Sequence, residues 1–295
     1  MNKKIQILEV GPRDGFQNLN EYLPLEQKLK VIEDMIAAGV KHIQHTSFVS
    51  PKAIPQMKDA GELTKILLEK YPDFDFFALV PNLYGAKSAY ELGLKKISYV
   101  VSLSKSHNKA NINRTHEESF EELKKIMDAY PDVEICVDIA TTFGCPFEGK
   151  YSTEVVLDFI KQLVDLGVKE FSLADTIGVA NPKEVREIVS ASVKEFPNVE
   201  FQAHIHDTRN MGMVNTLAAI ESGITKVQTT LGGLGGCPFA PGASGNTATE
   251  DLVHMLNEMG YDTGIDNEKL LEVSRYQKTI IDGNFSGHLV NIQPK

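Results

Sequence analysis

The chain has 295 residues, a formal net charge of −10, 42% hydrophobic residues and 24% charged residues. That is the balance of an ordinary globular protein with room for one large core, and the acidic charge excludes nucleic acid as a main partner, since no basic stripe is present to neutralise phosphates. No apolar run approaches the roughly 20 residues that span a bilayer. The opening residues also lack the longer apolar stretch and cleavage site of a secretory signal, so a cytoplasmic location is the expectation.

The first predicted strand, residues 5–10, runs into Gly11-Pro12-Arg13-Asp14-Gly15-Phe16-Gln17-Asn18. This glycine-rich stretch lacks the G-x-G-x-x-G spacing of a dinucleotide turn. A helical pattern follows, carried by Leu29, Ile32, Met35 and Ile36, and ends at Gly39-Val40-Lys41-His42-Ile43. The same arrangement, a glycine and an aliphatic residue after a helix, recurs at Gly93-Leu94, Gly167-Val168 and Gly223-Ile224. Glycine just past a helix supplies the left-handed C′ conformation, and a short β-rich run follows each time. Between these points stand Tyr71-Pro72-Asp73, Tyr130-Pro131-Asp132 and Phe196-Pro197-Asn198, each followed by an apolar strand. Cues spaced by about 25 to 35 residues mark βα units. Eight of them predict a (β/α)8 TIM barrel, one domain over residues 1–295, with a doubly wound open sheet as the alternative. The tail from about residue 266 to 295 is expected to be a peripheral helical extension.

In such a barrel the carboxyl ends of all strands share one face. Strand two ends in Gln44-His45-Thr46-Ser47-Phe48, strand six in Ser172-Leu173-Ala174-Asp175-Thr176, and strand seven in His204-Ile205-His206-Asp207. Residues two apart in a strand point the same way, so His204 and His206 project together, with Asp14 within reach around the closed barrel. A metal site is the better reading of that pair. Two imidazoles and a carboxylate match catalytic zinc; an added amide oxygen from Asn246, with oxygens of an oxyacid substrate, matches Mg2+ or Mn2+. Strand eight opens into a glycine-rich loop, residues 232–246, that carries Cys237; it reads as a binding loop or lid, with Cys237 either a mobile acid or base or a zinc thiolate. Cys136, Cys145 and Cys237 form no C-x-x-C and fit reduced thiols, and Cys136 lies in an apolar run typical of a core residue.

Together these pieces resemble the 3-hydroxy-3-methylglutaryl-CoA lyase family of metal-dependent lyase barrels. The motifs that carry the resemblance are residues 10–18, Thr46-Ser47-Phe48-Val49-Ser50-Pro51-Lys52, Asp175-Thr176-Ile177-Gly178, His204-Ile205-His206-Asp207 and the Cys237 loop. The resemblance implies a divalent cation, Mg2+ or Mn2+, held by Asp14, His204, His206 and Asn246, and an acyl-CoA substrate cleaved to acetyl-CoA and a keto acid. It implies that Arg13 stabilises the enolate oxygen, that Cys237 is the acid or base at the departing carbon, and that Asp175 assists proton movement near His204. Gln17, Ser47 and Asn111 are candidates for binding the substrate. A related 3-hydroxyacyl-CoA such as citramalyl-CoA, or condensation of a 2-oxo acid with acetyl-CoA, are the alternatives. A homodimer accords with the general preference for twofold assemblies, though no residue requires one.

Three positions depart from the family pattern, and all are expected on the catalytic face. Gln44 stands where the family carries glutamate, Asp138 where it commonly carries tyrosine, and Lys105 where a Ser-Glu is usual after strand four. Together they point to a changed acyl group. Lys105, Lys109 and Arg114 make a basic cluster that either meets CoA phosphates or forms a solvated face.

Overall fold

The structure is a computed structural model describing residues 3–236 and 245–292. Eight parallel strands, β1 (Gln6–Glu9), β2 (His42–Ser47), β3 (Asp75–Leu79), β4 (Lys96–Ser102), β5 (Glu134–Ala140), β6 (Glu170–Asp175), β7 (Glu200–Ile205) and β8 (Lys226–Thr229), follow one another around a closed barrel. Closure is made by β1 and β8, with Gln6 opposite Lys226 and Glu9 opposite Thr229. Around them lie α1 (Leu25–Ala37), α2 (Ala60–Lys70), α3 (Leu83–Glu91), α4 (Lys105–Ile112), α5 (His116–Ala129), α6 (Thr153–Asp165), α7 (Pro182–Glu195), α8 (Gly212–Glu221), α9 (Thr249–Glu258) and α10 (Asn267–Ile280). The predicted (β/α)8 barrel is therefore the fold. No helix among the described residues is long and apolar enough to cross a membrane.

The glycine repeat does what its position requires. Gly39, Gly93, Gly167 and Gly223 have φ between 95° and 114°, and each ends a helix before the next strand. At Gly39 a side chain would also press within 2.7 Å of the Gly264 carbonyl. Alternation along the strands separates two environments. Val137, Ile139, Phe171, Leu173, Phe201, Ala203, Ile205 and Val227 face the helices in the main apolar core. The intervening residues face the barrel interior, which is layered. Near its amino end, Lys226 pairs with Glu170 and Glu200, each at 2.7 Å, and Lys96 with Asp75 at 3.6 Å. Leu8, Val10 and Phe77 form a small separate apolar cluster. The carboxyl-end half is polar, and that is where the site lies.

The tail is less peripheral than expected. Leu270, Val273, Ser274 and Gln277 of α10 are buried, and the chain beyond it returns to the carboxyl end of the barrel. Ser286 Oγ lies 3.2 Å from the carbonyls of both Gly233 and Asn246, and the Gly287 amide donates to the Gly232 carbonyl at 2.9 Å. These contacts supply hydrogen bonds to backbone carbonyls beside the glycine-rich loop, which buried backbone groups require.

Candidate active site

The chain leaves β1 in one wide turn, Gly11–Gly15, in which the Phe16 amide reaches back to the Gly11 carbonyl. A side chain at Gly11 would sit 2.5 Å from Glu9 Oε1, so glycine is needed for the Gly11 amide to donate to that oxygen at 2.8 Å. The turn lays Arg13 and Asp14 over the mouth, each only 7% exposed. Arg13 Nη1 donates to Asp14 Oδ1 at 2.6 Å, and Arg13 Nε donates to Gln44 Oε1. A buried ion pair gains only when its other hydrogen bonds are also met. On the carboxylate side they are, since Gln17 Nε2 and Asn246 Nδ2 donate to the two oxygens of Asp14 at 3.3 and 2.8 Å.

His204 and His206 project from one face of β7 and its end, as the alternation predicts, and are buried. Their Nε2 atoms face each other at 3.1 Å. Asp14, His204 and His206 each offer a ligand atom, all within 4.8 Å of one another. Asn246 joins them from the far foot of the glycine loop, bridged to His206 through the backbone; its Oδ1 is buried without a hydrogen-bond partner among the described residues, as is His206 Nδ1. Burial works to raise the Asp14 carboxyl, but Arg13, His204, His206 and the Asn246 amide outweigh it and hold it at about 2. Burial and the neighbouring His204 push His206 down to about 4. A permanently ionised carboxylate, an imidazole kept neutral and an orphaned amide oxygen are the donors a divalent cation takes. The residues fit such an ion.

Further down, Gln44 Nε2 donates to Ser98 Oγ at 2.7 Å, and Asp138 Oδ1 accepts from Gln228 Nε2 at 3.3 Å. Burial pushes the Asp138 carboxyl up, against the pull of Arg13 and His204. Ser47 reaches the interior through a register shift between Gln44 and Thr46, and its buried hydroxyl has no partner among the described residues.

Other expected residues fall elsewhere. Asp175 is buried, but its two oxygens accept from the amides of Val179 and Ala180 at 2.9 and 3.0 Å; it shapes the loop after β6, and no described hydrogen bond links it to His204. Asn111 is exposed on α4, and no described hydrogen bond ties it to the central group. Of the three departures, Gln44 and Asp138 line the interior, whereas Lys105 is exposed at the start of α4, on a cleft beside His116, Phe120 and Phe159. The basic cluster is dispersed too: Arg114 Nη1 donates to the Pro81 carbonyl at 2.7 Å, and Lys109 to the Asn113 carbonyl at 3.2 Å. Cys237 lies outside the described residues.

Residues not singled out from the sequence complete the arrangement. Glu9 accepts from the amides of Gly11 and Leu231 and from Thr249 Oγ1, tying the Arg13 turn to both sides of the glycine loop. Glu250 accepts from the Gly232 amide at 2.8 Å and from Ser274 Oγ at 2.9 Å. Burial raises both carboxyls to about 7. Gln228 Oε1 faces His204 Nδ1 at 2.8 Å. Period-two alternation in Lys226-Val227-Gln228 marks Gln228 as an interior polar residue, which was the available signal.

Comparisons with known proteins agree with the fold. A family model described as HMGL-like matches residues 4–276. The mitochondrial hydroxymethylglutaryl-CoA lyase of Homo sapiens is 41% identical over 276 residues, 93% of this chain and 85% of that one. The hydroxymethylglutaryl-CoA lyase of Bacillus subtilis is 39% identical over 276 residues, 93% and 92% of the two chains. Among solved structures, an HMG-CoA lyase from Acinetobacter baumannii in complex with coenzyme A and 3-methylmalate superposes with a TM-score of 0.91 at 38% identity, covering 99% and 98% of the two chains. With the family model matching residues 4–276 and a relative 41% identical over 93% of the chain, the chain belongs to the HMGL-like family.

Proposed function

We propose that this chain is a divalent-cation-dependent carbon–carbon lyase that cleaves 3-hydroxy-3-methylglutaryl-CoA to acetyl-CoA and acetoacetate. The observation that carries the reading is the convergence of Asp14, His204, His206 and Asn246, whose Oδ1 has no partner among the described residues, beside the Arg13 guanidinium. Mg2+ and Mn2+ are the metals proposed, because oxygen donors, including those of the substrate, complement the two imidazoles.

In this cleavage the 3-hydroxyl loses its proton and its carbon becomes a ketone. The electrons of the adjacent carbon–carbon bond pass into the thioester as an enolate, and the enolate carbon then takes a proton. A bound divalent cation supplies Lewis acidity that lowers the pKa of the substrate hydroxyl. Arg13, its plane fixed by Asp14 and Gln44, turns its remaining N–H groups to the negative charge growing on the enolate oxygen. His206, neutral down to about pH 4, keeps a lone pair for ligation throughout the physiological range. Arg13, Asp14, His204 and His206 are each only 7% exposed, and such burial lowers the local dielectric and strengthens these interactions. Cys237, assigned by family resemblance, is proposed as the acid or base at the departing carbon.

A second reading keeps the chemistry and changes the acyl group to a related 3-hydroxyacyl-CoA such as citramalyl-CoA. It is favoured by Gln44 and Asp138 in the interior, and by the 3-methylmalate named with the Acinetobacter baumannii relative. A mass-spectrometric screen of hydroxyacyl-CoA thioesters with Mn2+ separates the two. Acetyl-CoA from the hydroxymethylglutaryl thioester supports the first reading, and preference for a shorter thioester supports the second. No product from any thioester rejects both.

A further inference from the structure

A chain of polar side chains crosses the barrel interior beneath the site, and its hydrogen-bond directions are fixed by its ends. A guanidinium only donates, so Gln44 turns its oxygen to Arg13 Nε and its Nε2 to Ser98 Oγ, 2.7 Å away. That occupies a lone pair of Ser98 and leaves its hydrogen to donate elsewhere; β4, which carries Ser98, pairs with β5, which carries Asp138, and Asp138 Oδ2 is buried without a hydrogen-bond partner among the described residues. From the other side, Gln228 Nε2 donates to Asp138 Oδ1 at 3.3 Å and to Gln202 Oε1 at 2.9 Å. Gln228 Oε1 is then the acceptor facing His204 Nδ1 at 2.8 Å, and an oxygen there requires the Nδ1–H form of that ring. Asp138, which accepts from Gln228 and lies beside the Ser98 strand, is buried at 7% exposure.

We propose that Asp138 is a positioning residue serving two groups at once: through Gln228 it holds His204 in the tautomer whose Nε2 lone pair faces Asp14 and His206, and through Ser98 and Gln44 it holds the plane of Arg13. Gln44 and Asp138 are also the two interior departures from the family pattern. Both stand in the same stretch of polar side chains beneath the site, Gln44 against Arg13 and Asp138 against Gln228. The consequence for turnover rests on the lyase reading; the consequence for the histidine does not.

Nitrogen-15 NMR of metal-free, histidine-labelled protein reads the tautomer directly, with His204→Gln assigning the ring. The wild-type ring is expected as Nδ1–H, and both Asp138→Leu and Gln228→Leu are expected to shift it towards a mixture. Mn2+ titration should show about tenfold weaker binding in each variant, with no further loss in the double variant, because both cut one arm. In turnover, Asp138→Leu should lower kcat with KM little changed. Adding Gln44→Glu should recover kcat through Arg13 without recovering Mn2+ affinity, a split that a merely structural role would not produce. Unchanged ring signals, Mn2+ affinity within twofold of wild type, or multiplying losses in the double variant would overturn the proposal. Failure of the wild type to bind Mn2+ or to cleave any thioester would instead sink the lyase reading, while the metal-free ring signals still decide the role of Asp138.

Discussion

The Nε2 atoms of His204 and His206 stand 3.1 Å apart, with Asp14 alongside and the Asn246 oxygen without a partner among the described residues. In the absence of a cation this is a poor arrangement, since at most one proton can be shared between two facing ring nitrogens. Binding that is specific to the folded state stabilises it by mass action, by about 2.7 kcal/mol at 100 times Kd. Thermal unfolding of chelator-treated protein should therefore shift up by several degrees on adding Mn2+. His206→Gln should lose most of that shift, and an equal shift in both proteins would contradict the site.

Glu9 and Glu250 give the pH dependence a definite sign. Both have folded pKa values raised by burial from 4.5 to about 7. Their contribution is fully present below the unfolded value and is lost as pH rises through the folded one, about 3 kcal/mol each. The buried rings of His45, His107 and His206, lowered to about 4, act oppositely and lose stability as pH falls below 6.5. The wild-type curve mixes these terms, so the difference curve is the useful one. Denaturant unfolding of wild type and Glu9→Gln between pH 5 and 8 should show the wild type losing ground to the variant as pH rises. Parallel curves would contradict the assignment.

Ser286 joins the two feet of the glycine loop, Gly233 and Asn246. Ser286→Ala should cost about 1 kcal/mol of stability, the net value of a typical hydrogen bond. It should also weaken Mn2+ binding several-fold, because Asn246 is then less firmly placed. A stability loss with unchanged Mn2+ affinity would make the tail a brace for the fold alone.

At the opposite end of the barrel, Lys226 serves two carboxylates, Glu170 and Glu200. Lys226→Met leaves Glu170 partly buried with one cation fewer, which should cost a few kcal/mol. Activity per folded molecule should stay near wild type, because barrel chemistry belongs to the carboxyl-end face. A fall in kcat with little loss of stability would contradict that division.

Much of this was legible in the sequence because its cues are local. C′ glycines at 39, 93, 167 and 223 mark helix ends, and a His-x-His in a strand needs only period-two geometry to put both rings on one face. What was hidden depends on contacts between distant segments. Asp175 shares its motif with the catalytic face, yet its carboxylate is taken up by two amides in the next loop. Ser47 enters the interior through a register irregularity that no residue type announces. The return of Ser286 to the glycine loop links positions 40 and 53 residues apart. Gln228 and Ser98 carry no catalytic signature of their own; they matter because of the ring and the carboxylate between which they sit.

The most direct test of the cation-centred lyase is acetyl-CoA release from hydroxyacyl-CoA thioesters by chelator-treated protein, followed as Mn2+ is restored, for wild type and Asp14→Asn. The account predicts no release without the ion, recovery in the wild type on its return, and at least a hundredfold lower rate in the variant, a loss of about 2.7 kcal/mol of transition-state stabilisation. Release that persists in chelator, or survives Asp14→Asn at the wild-type rate, would contradict it.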